Sequence, residues 1–261
     1  MISPEEKARF AALCEEDASA SAKAREGIGI YNEKSLHRIC KRFFAKGEKE
    51  EIFEVKVGPF IVDLLEDGQI TEVQGASFRP LREKLDYYHK EGYSVTVAHP
   101  VLADLTLLRA DRETGEILRQ HRYRSYERPV DVLPLLYDLR ECLAKETFTL
   151  CLVLIRAEEF RYSERMRYRK KGAYESELFA RELMDLLTFR TREDYRIFLP
   201  EGLPETFSAT EFGKLTRLKG RRIYSALNTL VAIGLLTREK EEGTSHRFLY
   251  RQILASGVPS N

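Results

Sequence analysis

The sequence predicts an α/β chain, a mixed sheet flanked by helices, followed by a small C-terminal unit of two helices and two strands. Three observations carry this expectation. Residues 60–74 alternate and turn as a tight hairpin, with Asp67-Gly68 as the turn dipeptide. Residues 33–44 repeat Leu36, Ile39, Cys40 and Phe43 at the 3.6-residue helical period. Residues 208–252 run as a capping box, a short helix, a turn, a longer helix and two strands around Glu241-Glu242-Gly243.

At 261 residues the chain can bury a sizeable core, as one large domain or two unequal ones. Its 43 basic and 42 acidic side chains nearly cancel, so only local clustering can point to nucleic acid. No apolar run approaches membrane-spanning length and the N-terminus has no signal-peptide pattern, so no membrane partner is expected. Ser3-Pro4-Glu5-Glu6 reads instead as a capped helix start. Cys14, Cys40, Cys142 and Cys151 show neither metal spacing nor disulfide density, which suits a reducing cytoplasm. His37 lies three residues before Cys40, a lone pair of the kind that packs rather than binds zinc.

Taken in order, Asn32 is an N-cap for a helix from Glu33 to Phe44, with Glu33 aimed partly inward beside Leu36 and Cys40. An acid in the first turn also suits the helix dipole. Gly27-Ile28-Gly29-Ile30, ahead of it, lacks the spacing of a phosphate loop. Residues 51–57 form a strand, and a Gly58-Pro59 turn pairs Val57 with Phe60, which sets Lys56 opposite Ile61 and Glu54 opposite Asp63. The alternative for Lys56 is an edge strand blunted by charge. In the hairpin that follows, Glu66 pairs with Gln69, so Asp63 faces Glu72 and Ile61 faces Gln74. Apolar residues on both faces of this hairpin imply that both are covered.

Directly opposed carboxylates have Cβ atoms roughly 4.5–5.5 Å apart and repel. A shared proton, neighbouring cations or a divalent metal would offset that, and the metal would make the site catalytic. A solvent-facing hairpin with hydrated acids is the plainer alternative.

After Gln74, Pro80, Leu81, Leu85 and Tyr88 mark a helix ending near Gly92, and Arg79, Arg82 and Lys84 in its first turns suggest a phosphate-facing role. Residues 93–99 supply the next strand, 132–143 a helix and 147–155 a buried strand. Two segments are locally basic and aromatic. Residues 119–126 read as a solvent-facing or DNA-tracking ribbon, and residues 161–171 concentrate Arg165, Arg167, Arg169, Lys170 and Lys171 with tyrosines.

The order helix, strand, Asp63-bearing strand, Glu72-Val73-Gln74 strand, helix, strand resembles the PD-(D/E)xK nuclease superfamily, the restriction-endonuclease-like fold, over roughly residues 27–100. The resemblance implies a Mg2+ or Mn2+ site formed by Asp63, Glu72 and the Val73 carbonyl, with Glu33 contributing from the preceding helix. It departs from the family where Gln74 replaces the usual lysine, since glutamine can hold a water but supplies no positive charge. Lys56, one strand away, is the candidate replacement. The tail, roughly residues 201–253, resembles a winged helix-turn-helix. Placing Ile223, Leu227, Leu230 and Val231 inward leaves Arg221, Ser225, Asn228 and Thr229 facing out, flanked by Arg222 and preceded by Lys219, a DNA-reading set.

The organisation expected is an N-terminal helix over 1–26, a nuclease core with its extension over 27–157, a basic and helical connector over 158–200, and a winged helix over 201–261. The function expected is metal-dependent DNA cleavage, with Glu33, Lys56, Asp63, Glu72 and Gln74 as the catalytic set and DNA as partner. A homodimer is compatible with this reading. The alternatives are a DNA-binding transcriptional regulator on an inactive nuclease fold and a protein-interaction module.

Overall fold

A computed structural model describes residues 2–23, 32–47, 49–111, 114–163, 176–240 and 248–253. The chain is α/β, and it divides into two compact units. One comprises residues 1–75, 97–128 and 151–187; the other comprises 76–96, 129–150 and 188–261.

The first unit opens with α1 (Pro4–Lys23), started by the capping box that the sequence suggests: Ser3 Oγ accepts from the Glu6 N–H at 3.1 Å, and Glu6 Oε2 accepts from the Ser3 N–H at 2.7 Å. Helix α2 (Asn32–Phe44) buries Leu36, Ile39, Cys40 and Phe43, the predicted stripe, and Phe10 of α1 meets Phe43 edge-on at 5.4 Å. A charged clamp adds to this apolar contact. The buried Asp17 carboxylate accepts from Ser35 Oγ and, at 2.6 Å, from Arg38 Nε.

Strands β1 (Phe53–Val57), β2 (Phe60–Glu66) and β3 (Gln69–Val73) follow as an antiparallel meander. Its registers are those expected: Val57↔Phe60 and Lys56↔Ile61 in one hairpin, Glu66↔Gln69 in the next. Both turns use left-handed backbone. Asp67 and Gly68 take φ of 52° and 74°, the pair of positive angles a two-residue hairpin turn demands, and Gly58 takes 57° before Pro59.

The remaining strands are β4 (Ser94–Asp111), β5 (Ile117–Tyr123), β6 (Phe148–Ser163) and β7 (Ser176–Phe189). Together they complete a seven-stranded sheet ordered β1-β2-β3-β4-β6-β7, with β5 paired to β4 off that path. The core sits between α1, α2 and the sheet, where Phe10, Leu36, Ile39 and Phe43 meet Val73, Val153, Ile155 and Leu183. A charge ladder crosses four strands: Asp104 of β4, only 3% exposed, accepts from Arg122 of β5 at 2.9 Å and Arg156 of β6 at 3.2 Å, and Arg156 also pairs with Glu182 of β7. Held below the ordinary aspartate range by the Arg122 hydrogen bond, with Arg156 adding to it against the cost of burial, Asp104 stays ionised.

The expected connector over 158–200 is therefore corrected. Residues up to 163 belong to β6, 176–189 form β7, and a 3-10 turn follows over Arg192–Phe198. The basic run 165–171 lies outside the described residues.

In the second unit, α3 (Leu81–Lys90) buries the expected Leu81, Leu85 and Tyr88. The helix expected over 132–143 is instead two short pieces, α4 (Pro129–Val132) and a 3-10 turn over Leu135–Leu139, because Pro134 interrupts the ladder. Beyond them β8 (Thr206–Ser208), α5 (Ala209–Thr216), α6 (Arg221–Ile233), β9 (Leu236–Lys240) and β10 (Phe248–Gln252) form a helix pair with a three-stranded sheet ordered β8-β10-β9. The sheet seats Phe207 and Tyr250 on each other, centroids 6.0 Å apart, with Phe212 of α5 stacked beyond at 6.1 Å. Among the described residues no helix is long and apolar enough to cross a membrane.

Ser208 caps α5 through a complete capping box with Glu211. Ser208→Ala is expected to lower stability by about 1 kcal/mol, read as a fall in the urea midpoint with unchanged slope. An unchanged midpoint would mean that the cap does not limit unfolding.

Candidate functional site around Asp63

The β2–β3 ladder runs from Glu66↔Gln69 to Leu64↔Thr71 and stops before the expected Asp63–Glu72 and Ile61–Gln74 pairs. There the carboxylate replaces the ladder. Asp63 Oδ2 accepts the Val73 N–H at 2.7 Å and lies 3.2 Å from His37 Nε2 on α2. Both contacts fall on one oxygen; Oδ1 takes no hydrogen bond from the described residues. Burial pushes the Asp63 carboxyl up, but the His37 and Val73 hydrogen bonds and the charges of His37 and Lys41 outweigh it and hold it below the ordinary range. His37 is raised, chiefly by its bond to Asp63, against the opposing effect of burial. With His37 protonated the two form an ion pair, whose side chains are 35% and 14% exposed.

Glu72 is 3% exposed, and β3 is buried from Ile70 to Val73, so both faces of this strand are covered. Gln74 follows β3, its N–H donating to Ala98 O at 2.9 Å and its carbonyl accepting from His99 Nδ1. Burial holds His99 below the ordinary histidine range despite that bond. It is thus neutral, with the proton on Nδ1. Glu54, expected opposite Asp63, sits at a φ of 52° between the pairs Phe53↔Leu64 and Val55↔Val62, and its carboxylate goes to Lys41 of α2. A left-handed glutamate inside a strand is strained, and the Lys41 bond helps to hold it. Lys56 is exposed, across from Ile61, itself 57% exposed. Glu33 belongs to α2, but its side chain lies outside the described residues.

A cavity of about 270 Å3 adjoins this pair, lined by His37, Gln74 and Glu127 among the apolar Leu36, Leu102 and Leu178. Glu127 reaches it because the chain after β5 returns along β4: Tyr126 and Glu127 donate their N–H groups to Ala103 and Leu102 carbonyls at 3.1 and 3.0 Å, and Glu127 Oε2 accepts the Leu102 N–H at 2.8 Å. His37, His99 and Glu127 were not in the predicted set. His37 lies one turn after Glu33 on the same helix face, a signal that the sequence does carry, whereas nothing local marks Glu127.

Asp63 and Glu72 are the carboxylates of this site, and the His37 imidazole is turned to Asp63 Oδ2. Among the described residues no three His, Cys, Asp or Glu side chains already converge as a ligand group.

In the second unit, the predicted reading face of α6 is corrected. Thr229 is fully buried, its hydroxyl donating to Ser225 O at 2.9 Å and Leu133 O at 3.4 Å. Ser225 and Asn228 are half-buried, Asn228 Oδ1 accepts from Arg238, and Arg222 donates to Asp131 O at 2.8 Å. The 3-10 turn at 135–139 packs on α6, and the unit's own chain covers the face at Thr229 while Arg222 stays exposed. Lys219 and Arg221 remain exposed at its start.

Residues 34–190 match the family described as a domain of unknown function, DUF8091, and the chain belongs to that family. The match takes in His37, Asp63, Glu72, Gln74 and Glu127 and ends before α5. No curated protein and no solved structure matches the chain.

The His37–Asp63 pair makes stability pH-dependent at two edges. Asp63 has a lowered folded pKa, so its contribution is complete above about 3.9 and is lost as pH falls through the folded value. His37 has a raised folded pKa, so its contribution is complete below about 6.5 and is lost as pH rises through the folded value. In Asp63→Asn the His37 midpoint, followed by NMR, should fall toward 6.5, and stability should lose its decline above that pH. A midpoint unmoved by the substitution would mean that the pair does not form in solution.

Proposed function

We propose that the chain is a metal-dependent DNA nuclease of the PD-(D/E)xK type. The observation that carries this reading is an acid on the second strand of a meander beside Glu72-Val73-Gln74 on the third, with α2 packed over the acid and β4 next to β3 in the sheet. In this reading Asp63 Oδ1 and Glu72 hold Mg2+ or Mn2+ with the Val73 carbonyl, and Glu33 contributes from α2. The metal, when bound, lowers the pKa of water and stabilises charge building on a phosphate. His37 is a positioning residue: it holds Asp63 Oδ2 and so fixes which oxygen faces the metal. Gln74, at the cavity, orients the attacking water. Lys56 supplies positive charge from β1.

The C-terminal unit fits a winged helix, with α5, α6 and the sheet of β8, β9 and β10. Because Thr229 and its neighbours are occupied, its DNA contacts fall to Lys219 and Arg221, which suit phosphate rather than bases.

A second reading has its own observation. His37 already claims Asp63, and Gln74 stands where a cation is usual; both suit an inactive nuclease fold serving a DNA-binding regulator.

Incubating the protein with single-stranded, duplex and branched DNA in Mg2+, Mn2+ or EDTA separates the two. Cleavage in metal alone is expected, reduced about a hundredfold or more in Asp63→Asn and Glu72→Gln, and roughly 10–100-fold in His37→Ala. Lys56→Ala should lower turnover more than DNA binding. Intact DNA in every metal, with binding retained, would favour the regulator; cleavage surviving in both acid variants would reject the site.

A further inference from the structure

The β4–β5 ribbon carries features that the catalytic reading does not use. Every residue of β5 is exposed. Its register sets Arg109 directly opposite Arg119, with Leu107↔His121 and Leu105↔Tyr123 next along the same face. Like charges opposed across a strand pair destabilise it, and neither guanidinium has a carboxylate or hydrogen-bond partner among the described residues. An anion seated between them would relieve that repulsion.

Beside the arginines runs a line of rings. His121 meets Tyr123 edge-on at 4.3 Å, and Tyr123 meets Tyr126 at 5.9 Å, with both tyrosines more than 40% exposed. A shallow hollow of about 190 Å3 lies among Arg109, Arg119, His121 and Tyr123. Residue 127, the next after Tyr126, is the glutamate that lines the cavity beside Gln74. Cation pair, rings and cavity therefore follow one another along a single stretch of chain.

We infer that this ribbon face binds single-stranded DNA, with a phosphate between Arg109 and Arg119 and bases stacked on His121, Tyr123 and Tyr126, leading the strand toward the cavity at Gln74. Exposed rings stack on bases that are already unpaired, whereas a duplex keeps its bases inside and would offer the rings nothing. Paired arginines match the spaced charge of the backbone. The choice of DNA over RNA, and the direction of the strand toward the cavity, rest on the nuclease reading; the binding itself does not require metal.

The test is fluorescence anisotropy of a labelled oligothymidylate with the full chain in EDTA, which removes cleavage from the measurement. Arg109→Ala/Arg119→Ala should weaken binding about tenfold and lower the salt slope by about 0.7, one single-strand phosphate contact. Tyr123→Ala should weaken it about fivefold or more, while Tyr123→Phe, which keeps the ring, should bind as the parent does. Circular dichroism checks that the variants keep their fold. Parent-like affinity in the double arginine variant, equal binding of duplex, tighter binding of the matching RNA, or Tyr123→Phe failing as badly as Tyr123→Ala would each overturn the proposal. Loss of cleavage in metal with this binding pattern intact would instead strike the nuclease reading alone.

Discussion

One carboxylate oxygen organises the candidate site. Asp63 Oδ2 takes the backbone N–H of Val73 and the imidazole of His37 at once, tying α2 to β2 and β3. A half-buried acid would ordinarily tend to protonate. Here two donors on one oxygen replace the water it loses, so it stays charged. The arrangement fixes the helix over the hairpin, and it explains how two acids on neighbouring strands are tolerated: one of them is neutralised from above.

The hairpins were legible because their chemistry is local. Asp67-Gly68 and Gly58-Pro59 each dictate a turn, and a turn dictates register for every pair behind it. The stripes of α2 and α3 were equally plain, since Leu36, Ile39, Cys40 and Phe43 have no competing period. Strand β7 was not legible. Ala180, Leu183 and Leu186 are spaced by three, and Glu, Leu, Ala and Met favour helix, so only its place in the sheet makes this segment extended. On α6 the period was read correctly but the environment was not. Thr229 looks like a polar outer position until a segment nearly a hundred residues earlier covers it.

The site itself shows the same division. Asp63 and Glu72 followed from counting back from a turn. His37 was present as a helix neighbour of Glu33, but a lone histidine on an apolar stripe reads as packing. Glu127 owes its position to the return of the chain along β4, a non-local pairing without any signature in its own neighbourhood.

The exposed strand β5 has one further consequence. Among the described residues it pairs with β4 alone, which leaves its other side a sheet edge, and β1 is a terminal strand of the order. Open edges recruit other chains. Both carry charged side chains, Arg119 and Arg122 on β5 and Glu54 and Lys56 on β1, beside the exposed apolar Ile117 and Leu118 of β5, and such charges keep edges from zipping together. Arg119, which can attract an anion, thus also guards against self-association, and removing it together with Arg122 would trade a binding surface for an aggregating one.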